Sequence, residues 1–179
     1  INVQVVLELQ GTEEVTVLGE GWEDLPLDIN YEVALPIAER GTLFAGAKIV
    51  VELAPSLKQQ SITRRSHSEM GVSSFVLEAA AVCTASVVFQ RPGIGEHFDI
   101  ENEVFIYCGN DDLAPLLPML LASTNDVERV AHNAWQRVHS DHTWSQRWQN
   151  ILEPWLPLYE SSPEEDVLKL KAKQSVTVN

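Results

Sequence analysis

A stretch near the middle of the chain, residues 71–93, constrains the fold more than any other. Ser73 and Ser74 supply hydroxyl groups that can cap a helix, and the good helix formers of Phe75–Val82 follow at once. Ala85–Phe89 is a short apolar run rich in β-branched residues, which is typical of a buried strand. The turn-forming sequence Arg-Pro-Gly closes the stretch. This order of helix, tight connection and buried strand predicts one unit of a parallel α/β sheet.

The rest of the chain repeats the alternation of strands and helices. Apolar runs predict further strands at Val15–Leu18, Lys48–Leu53 and Glu103–Tyr107. Helical spacing predicts helices at Leu35–Ala45, Leu113–Ala122, Val127–His139, Thr143–Leu152 and, more polar than the others, Glu164–Lys173. We therefore expect an α/β fold in which the four strands form one Rossmann-like parallel sheet with helices on both faces.

Local signals predict where some of these helices begin and which face they bury. Asn110–Asp112 should cap the helix that starts at Leu113, with Pro115 in its first turn and Pro118 kinking it. The helix at Leu35–Ala45 should bury the apolar positions that recur at helical spacing: Leu35, Ala38, Thr42 and Ala45. The helix at Val127–His139 should bury the face formed by Val127, Val130, Ala131, Ala134 and Val138.

Length and charge limit the classes of protein that the chain can belong to. A chain of 179 residues with 45% hydrophobic content suits one globular domain, which we place at residues 1–160, followed by a polar tail at 161–179. The net charge of −14 argues against nucleic acid and anionic membrane surfaces as partners, because both need cationic patches. No apolar run approaches the length of a membrane span. The chain does not begin with Met and opens like mid-protein sequence, so we expect a piece of a longer protein.

The cysteine and histidine residues predict neither disulfides nor a metal site. The only cysteines are Cys83 and Cys108, and neither has the spacing of a zinc ligand. Cys83 stands among apolar residues, so we expect it in the core of a protein from a reducing compartment, such as the cytoplasm. His139 and His142 are three residues apart with no third ligand nearby, and we expect no metal there.

The start of the Phe75–Val82 helix is the predicted functional site. In an open α/β sheet, helix starts at the carboxyl ends of the strands bind anionic ligands through their N–H groups. The N–H and hydroxyl groups of Ser73 and Ser74 could therefore bind a diphosphate, and Glu78, one turn along, could reach a ribose hydroxyl. Arg64 and Arg65 lie in a polar, basic loop before this helix and could neutralise the diphosphate, or they could be solvated surface charges.

Several motifs resemble the spore-maturation (CgeB-like) group of GT-B glycosyltransferases. They run in order and at family-like spacing from about Val15 to Ile151: Leu-Gly-Glu-Gly-Trp at residues 18–22, Ser-Phe-Val-Leu-Glu-Ala-Ala-Ala at 74–81, Gln-Arg-Pro-Gly-Ile-Gly-Glu-His-Phe at 90–98, Glu-Val-Phe-Ile-Tyr at 103–107, and His-Thr-Trp at 142–144 with Arg147. The family usually has Arg where this chain has Phe75, and Gly where it has Cys83.

This resemblance implies the C-terminal, nucleotide-binding half of a GT-B glycosyltransferase. Glu78 matches the family's acidic residue that contacts the ribose of the sugar donor. Glu69 resembles the first acid of the E-x7-E pattern, but its separation from Glu78 is one residue too long for that pattern. With Phe75 in place of the family's Arg, Arg64 or Arg65 could substitute for it. The implied partners are a nucleoside-diphosphate sugar, which is a substrate rather than a cofactor, and an N-terminal GT-B domain that this chain lacks.

Two functions therefore stay open at the level of sequence. In the first, the chain binds the donor for a parent protein that transfers the sugar to an acceptor, and is inactive by itself. In the second, Phe75 and Cys83 mark a degenerate, non-catalytic domain that serves as a structural or interaction module. The two differ in whether Arg64 or Arg65 reaches the helix start at Ser73 and Ser74.

Overall fold

The computed structural model describes residues 14–19, 30–32, 35–53 and 71–155. Within these ranges the strands are β1 (Thr16–Leu18), β2 (Asn30–Glu32), β3 (Ile49–Val51), β4 (Ala85–Phe89) and β5 (Phe105–Tyr107). The helices are α1 (Ile37–Gly46), α2 (Ser74–Ala81), α3 (Ile94–His97), α4 (Asn110–Ala122), α5 (Thr124–Asp141) and α6 (Trp144–Leu152). The chain divides into two compact units, residues 1–140 and 141–179.

The centre of the first unit is a parallel sheet in the order β3-β4-β5. Val51, Val87 and Phe105 stand side by side across it, which fixes the register of all three strands. Each parallel neighbour is reached through a crossover that contains a helix: α2 lies between β3 and β4, and α3 between β4 and β5. The α/β fold with a parallel sheet is confirmed.

Helices cover both faces of this sheet, as predicted. Because side chains alternate along a strand, the residues of β4 divide between two apolar clusters. Ala85 and Val87 pack with the α4 residues Leu113, Leu117 and Leu120. Val88 packs on the other face with residues of α2 and α3, namely Val76, Ala80 and Ile94. Ala85, Val87 and Val88 are almost completely buried, so β4 is the strand that both layers of helices need.

Helix α5 contributes to both clusters. Val127, Val130 and Ala131, in its first half, belong to the cluster with α4. Ala134 and Val138, in its second half, belong to the cluster with α2 and α3. All five are buried, so the predicted apolar face of this helix is confirmed.

The first predicted strand is present but lies in a different sheet. β1 pairs in parallel with β2, with Thr16 opposite Asn30 and Leu18 opposite Glu32, in a separate two-stranded sheet. The expectation of a single four-stranded sheet was therefore wrong. The sequence of β2, Asn-Tyr-Glu, lacks the apolar alternation that signals a strand, which is why the pairing partner of β1 was missed.

Helix α1 lies where the sequence predicted it but buries a different face. Ala38, Thr42 and Ala45 are exposed, whereas Phe44 is buried. The Phe44 ring meets Phe75 edge to face, at 6.3 Å between centroids. A phenylalanine ring buries far more apolar area than an alanine. Burial of Phe44 therefore sets the rotation of α1 about its own axis.

Helix α4 begins three residues before the predicted start. The Asp112 carboxylate accepts hydrogen bonds from the backbone N–H groups of Cys108 and Gly109, at 3.0 and 2.8 Å. Asp112 thus caps the helix from inside its first turn, which lets the helix start at Asn110. Pro115 consequently lies in the second turn rather than the first, and the helix runs through Pro118.

Cys83 terminates α2 and does not lie in the core. The N–H groups of Thr84 and Cys83 donate to the carbonyl oxygens of Ala79 and Ala80, at 2.9 and 3.1 Å. These two bonds form the Schellman motif, whose left-handed residue is usually glycine. Here that residue is Cys83, with φ of 62° and an exposed side chain. The buried position expected for Cys83 was wrong, because the backbone turns at that residue and carries its side chain outward.

In the second unit, α6 begins with a capped first turn. Thr143 caps it by accepting a hydrogen bond from the N–H of Gln146, while the Gln146 side chain accepts one from the N–H of Thr143. This capping box explains why the helix begins at Trp144. The predicted helix at Glu164–Lys173 and the predicted boundary at residue 160 lie outside the described residues and stay predictions.

The left-handed backbone at Cys83 gives a stability prediction. Cys83→Gly should stabilise the protein by roughly 0.5–1 kcal/mol, because glycine adopts this conformation without a steric penalty. Cys83→Ala should be nearly neutral, and Cys83→Val should destabilise, since β-branched residues tolerate positive φ least. Urea unfolding of the three variants measures this order. A glycine variant less stable than the alanine variant would contradict the assignment.

Candidate functional site

The carboxyl ends of β3, β4 and β5 lie at one edge of the sheet, where polar side chains gather. Glu52 follows β3, Arg91 lies two residues beyond β4, and Cys108 follows β5. The Tyr107 hydroxyl donates a 2.8 Å hydrogen bond to the Glu52 carbonyl oxygen, from one outer strand to the other. In parallel α/β sheets this edge is where ligands bind.

An ion pair between Glu52 and Arg91 holds the middle of this edge. Both side chains are largely buried, with 12% and 10% of their area exposed. Arg91 also donates from Nη1 to the carbonyl oxygen of Gly71 at 3.4 Å. Since Gly71 lies just before α2, this guanidinium links the ends of β3 and β4 to the start of that helix.

The start of α2 has the structure of a capped helix end. The Ser73 hydroxyl accepts a hydrogen bond from the N–H of Phe75 at 3.2 Å, as an N-cap does. Ser74 is the first helical residue and is exposed. A ligand phosphate at this end would meet the positive end of the helix dipole and would compete with the Ser73 hydroxyl for the N–H of Phe75.

Glu78 lies one turn further along α2, on the same face as Ser74. Residues four apart on a helix share a face, and the rise of 1.5 Å per residue places Glu78 about 6 Å beyond Ser74 along the axis. The side chain of Glu78 is 22% exposed. A carboxylate at this place can accept hydrogen bonds from a group bound next to the helix start.

The Glu78 carboxylate meets an arginine from another helix. Arg40 of α1 donates from Nε to Oε2 at 2.8 Å and from Nη2 to Oε1 at 3.0 Å, which is the bidentate geometry of a strong pair. The hydrogen bonds to Glu78 raise the pKa of Arg40 above its ordinary value, so the guanidinium stays protonated. Its carbon lies 5.3 Å from the centre of the Phe75 ring, within the range of a cation–π contact.

The structure brings together half of the predicted site residues. Ser73, Ser74 and Glu78 lie within two turns of α2. Arg64, Arg65 and Glu69 lie outside the described residues, and their roles stay predictions. Among the described residues, no group of three His, Cys, Asp or Glu side chains is placed to hold a metal ion.

Two arginines of this region were not found from the sequence. Arg91 had a signal, because it follows a buried strand directly in the Arg-Pro-Gly turn. Arg40 had none: 38 residues separate it from Glu78, and only the packing of α1 against α2 brings the two side chains together.

The chain matches one protein family over most of its length. Residues 3–153 match the model of a family described as glycosyl transferase-like. The chain belongs to this glycosyl transferase-like family. No curated protein matches it. The match extends over every element from β1 to α6. It agrees with the glycosyltransferase resemblance of the sequence motifs, and membership of the CgeB-like group stays a prediction.

A solved structure is also similar to the chain. It is the C-terminal domain of a glycosyl transferase group 1 family protein from Francisella tularensis, with 18% sequence identity and a TM-score of 0.49. The alignment covers 67% of this chain and 56% of that one. The chain therefore matches little more than half the length of this similar structure.

In the part of this chain that the structure describes, no helix is both long and apolar enough to cross a membrane.

The buried ion pair gives a prediction on stability. Arg91→Met should cost about 3 kcal/mol, because it removes the cation that compensates the buried Glu52 carboxylate. The double variant Glu52→Leu with Arg91→Met should recover most of this loss, since an apolar pair leaves no buried charge. Urea unfolding at neutral pH measures both.

Arg129→Met is the matched control, because Arg129 is 46% exposed and pairs with Asp126 at 3.7 Å on the surface of α5. Its effect should stay within about 0.5 kcal/mol. If Arg91→Met is equally mild, the pair contributes little to holding the sheet edge.

Proposed function

We propose that this chain is the donor-binding half of a GT-B glycosyltransferase, and that it binds the nucleoside-diphosphate part of a nucleotide sugar. Family membership supports glycosyl transfer as the chemistry of the parent protein. The observation that carries the donor role is the arrangement of α2. Its capped start lies beside Arg91 at the carboxyl edge of the sheet, and Glu78 follows on the same face as Ser74.

Each part of the donor would meet a matching group. The phosphates would lie at Ser73 and Ser74, where backbone N–H groups and the helix dipole favour negative charge. The charge of Arg91 nearby is compensated by Glu52, so the cations for the phosphates would be Arg64 and Arg65, the candidates from the sequence. The ribose would lie one turn along, where the Glu78 carboxylate can accept a hydrogen bond from one of its hydroxyls.

This arrangement suits the departure of a diphosphate. When the bond from the sugar to the diphosphate breaks, negative charge grows on the leaving group. Fixed N–H groups and guanidinium groups stabilise that charge in the transition state. The acceptor and the general base would come from an N-terminal domain, so the chain by itself would bind the donor without transferring its sugar. The nucleotide sugar is a substrate, and the proposal requires no cofactor.

A second candidate function is a non-catalytic structural or interaction module. The Arg40–Glu78 pair favours it, because both carboxylate oxygens already accept hydrogen bonds from a residue of the protein. In that case Glu78 joins α1 to α2 and has no ligand to bind.

Calorimetric titration of the 179-residue chain with millimolar ribonucleoside diphosphates distinguishes the two functions. At least one diphosphate should bind, and Glu78→Gln should weaken its binding roughly tenfold or more, because it removes charge-assisted hydrogen bonds to the ribose. Glu128→Gln is the matched control, since Glu128 is an exposed helical glutamate on α5, and it should bind like the parent.

If no diphosphate binds at these concentrations, the donor role is wrong and the structural module takes its place. If a diphosphate binds but Glu78→Gln matches the parent, the ligand does not use Glu78.

A further inference from the structure

Arg40 has a fixed orientation between two helices. Its Nε and Nη2 atoms donate to the two oxygens of Glu78, and its Nη1 atom donates to the carbonyl oxygen of Leu35 at 2.7 Å. The Phe75 ring lies 5.3 Å from the guanidinium carbon. Only 19% of the Arg40 side chain is exposed. Three nitrogen atoms and one ring contact therefore determine where this guanidinium points.

The fixed guanidinium in turn fixes the carboxylate. A carboxylate oxygen can accept two hydrogen bonds, and Arg40 uses one position on each oxygen of Glu78. The geometry is thus compatible with one additional donor at each oxygen. Because a bidentate guanidinium occupies the facing positions of both oxygens, the two remaining positions point away from each other, and a single ribose hydroxyl can donate to one of them.

We infer that Arg40 is a positioning residue for ribose recognition: it holds the Glu78 carboxylate in the orientation that accepts a hydrogen bond from the ribose 2′-hydroxyl of a nucleoside diphosphate. This inference rests on the proposed donor role of the chain. A free glutamate side chain rotates about several bonds and loses that freedom when a ligand binds. Arg40 removes this cost beforehand, because the carboxylate is already held in place in the folded protein.

Arg40 also explains how the site functions with Phe75 at the first turn of α2. Phe75 has no charge, yet its ring lies against the guanidinium of Arg40. Because Phe75 and Glu78 are three residues apart on α2, they lie next to each other on the helix surface. The positive charge beside Glu78 therefore comes from α1, 38 residues earlier in the chain.

The test compares ribonucleoside diphosphates with their 2′-deoxy counterparts in calorimetric titrations of the 179-residue chain. The parent should prefer the ribonucleotide roughly tenfold or more, since the deoxy form lacks a hydroxyl for which Glu78 is placed. Arg40→Met keeps an apolar side chain against Phe75 and removes the hydrogen bonds. It should weaken binding of the ribonucleotide about tenfold and leave the deoxynucleotide within about twofold, so that the preference disappears.

Arg129→Met, which also removes one positive charge from a helix, should leave the preference unchanged. If Arg40→Met keeps the preference of the parent, Arg40 does not position Glu78, while the proposed function stands. If the parent binds diphosphates without preferring ribose, the inference is wrong and the phosphate part of the proposal survives. If the parent binds none of them, both are wrong.

Exchanging the two charged residues distinguishes a role of Arg40 in positioning Glu78 from a role in stabilising the fold. It also provides a test if Arg40→Met fails to fold. The double variant Arg40→Glu with Glu78→Arg restores an ion pair between α1 and α2 but places the carboxylate on the wrong helix. It should stay folded, unfold at a somewhat lower urea concentration than the parent because the contacts of Arg40 with Leu35 and Phe75 are lost, and lose the ribose preference. A double variant that still prefers the ribonucleotide would show that the pair merely joins two helices.

Discussion

The burial of β4 on both faces is the constraint on which the rest of the unit depends. Ala85, Val87 and Val88 have 1% or less of their area exposed, so each face of the strand needs a layer of helices. A parallel neighbour can only be reached by a crossover connection, which places α2 and α3 on one face while α4 covers the other. Along the chain, α2 is the helix after β3 and α4 is the helix after β5, so both start at the carboxyl edge of the sheet, and this determines where a ligand can bind.

The candidate site combines a rigid edge with a pair formed between helices. Glu52 and Arg91 join two strand ends to the entry of α2, and their burial makes this connection costly to break. Arg40 and Glu78 join α1 to α2 one turn further down. In the proposed donor site, the first pair supports the phosphates and the second supports the ribose, so the order of contacts along α2 would follow the order of groups along a nucleotide.

Sequence patterns predicted the elements with strong periodicity and missed what packing decides. β4, the apolar face of α5 and the start of α2 follow directly from the spacing of apolar and capping residues. The sequence did not reveal the pairing of β1 with β2, because Asn-Tyr-Glu carries no strand signal. Arg40 was missed as well. The sequence predicted that α1 buries the face with Ala38, Thr42 and Ala45, but the helix is rotated so that Phe44 is buried instead. Local signals thus predicted that Ser73, Ser74 and Glu78 lie together at one helix start. The pairing of Glu78 with Arg40 could not be predicted, because it depends on how the helices pack.

The most direct test of this account is the ¹⁵N NMR signal of the Arg40 Nε–H group, which reports the hydrogen bond to Glu78. A ribonucleoside diphosphate should shift this signal together with the amide signals of Ser74 and Phe75. The 2′-deoxy form should shift the two amide signals and change the Arg40 signal much less, because it lacks the hydroxyl that donates to Glu78. If millimolar ribonucleoside diphosphates leave all three signals unchanged, the donor site is contradicted. If both forms shift the Arg40 signal equally, the role of Arg40 in ribose recognition is contradicted.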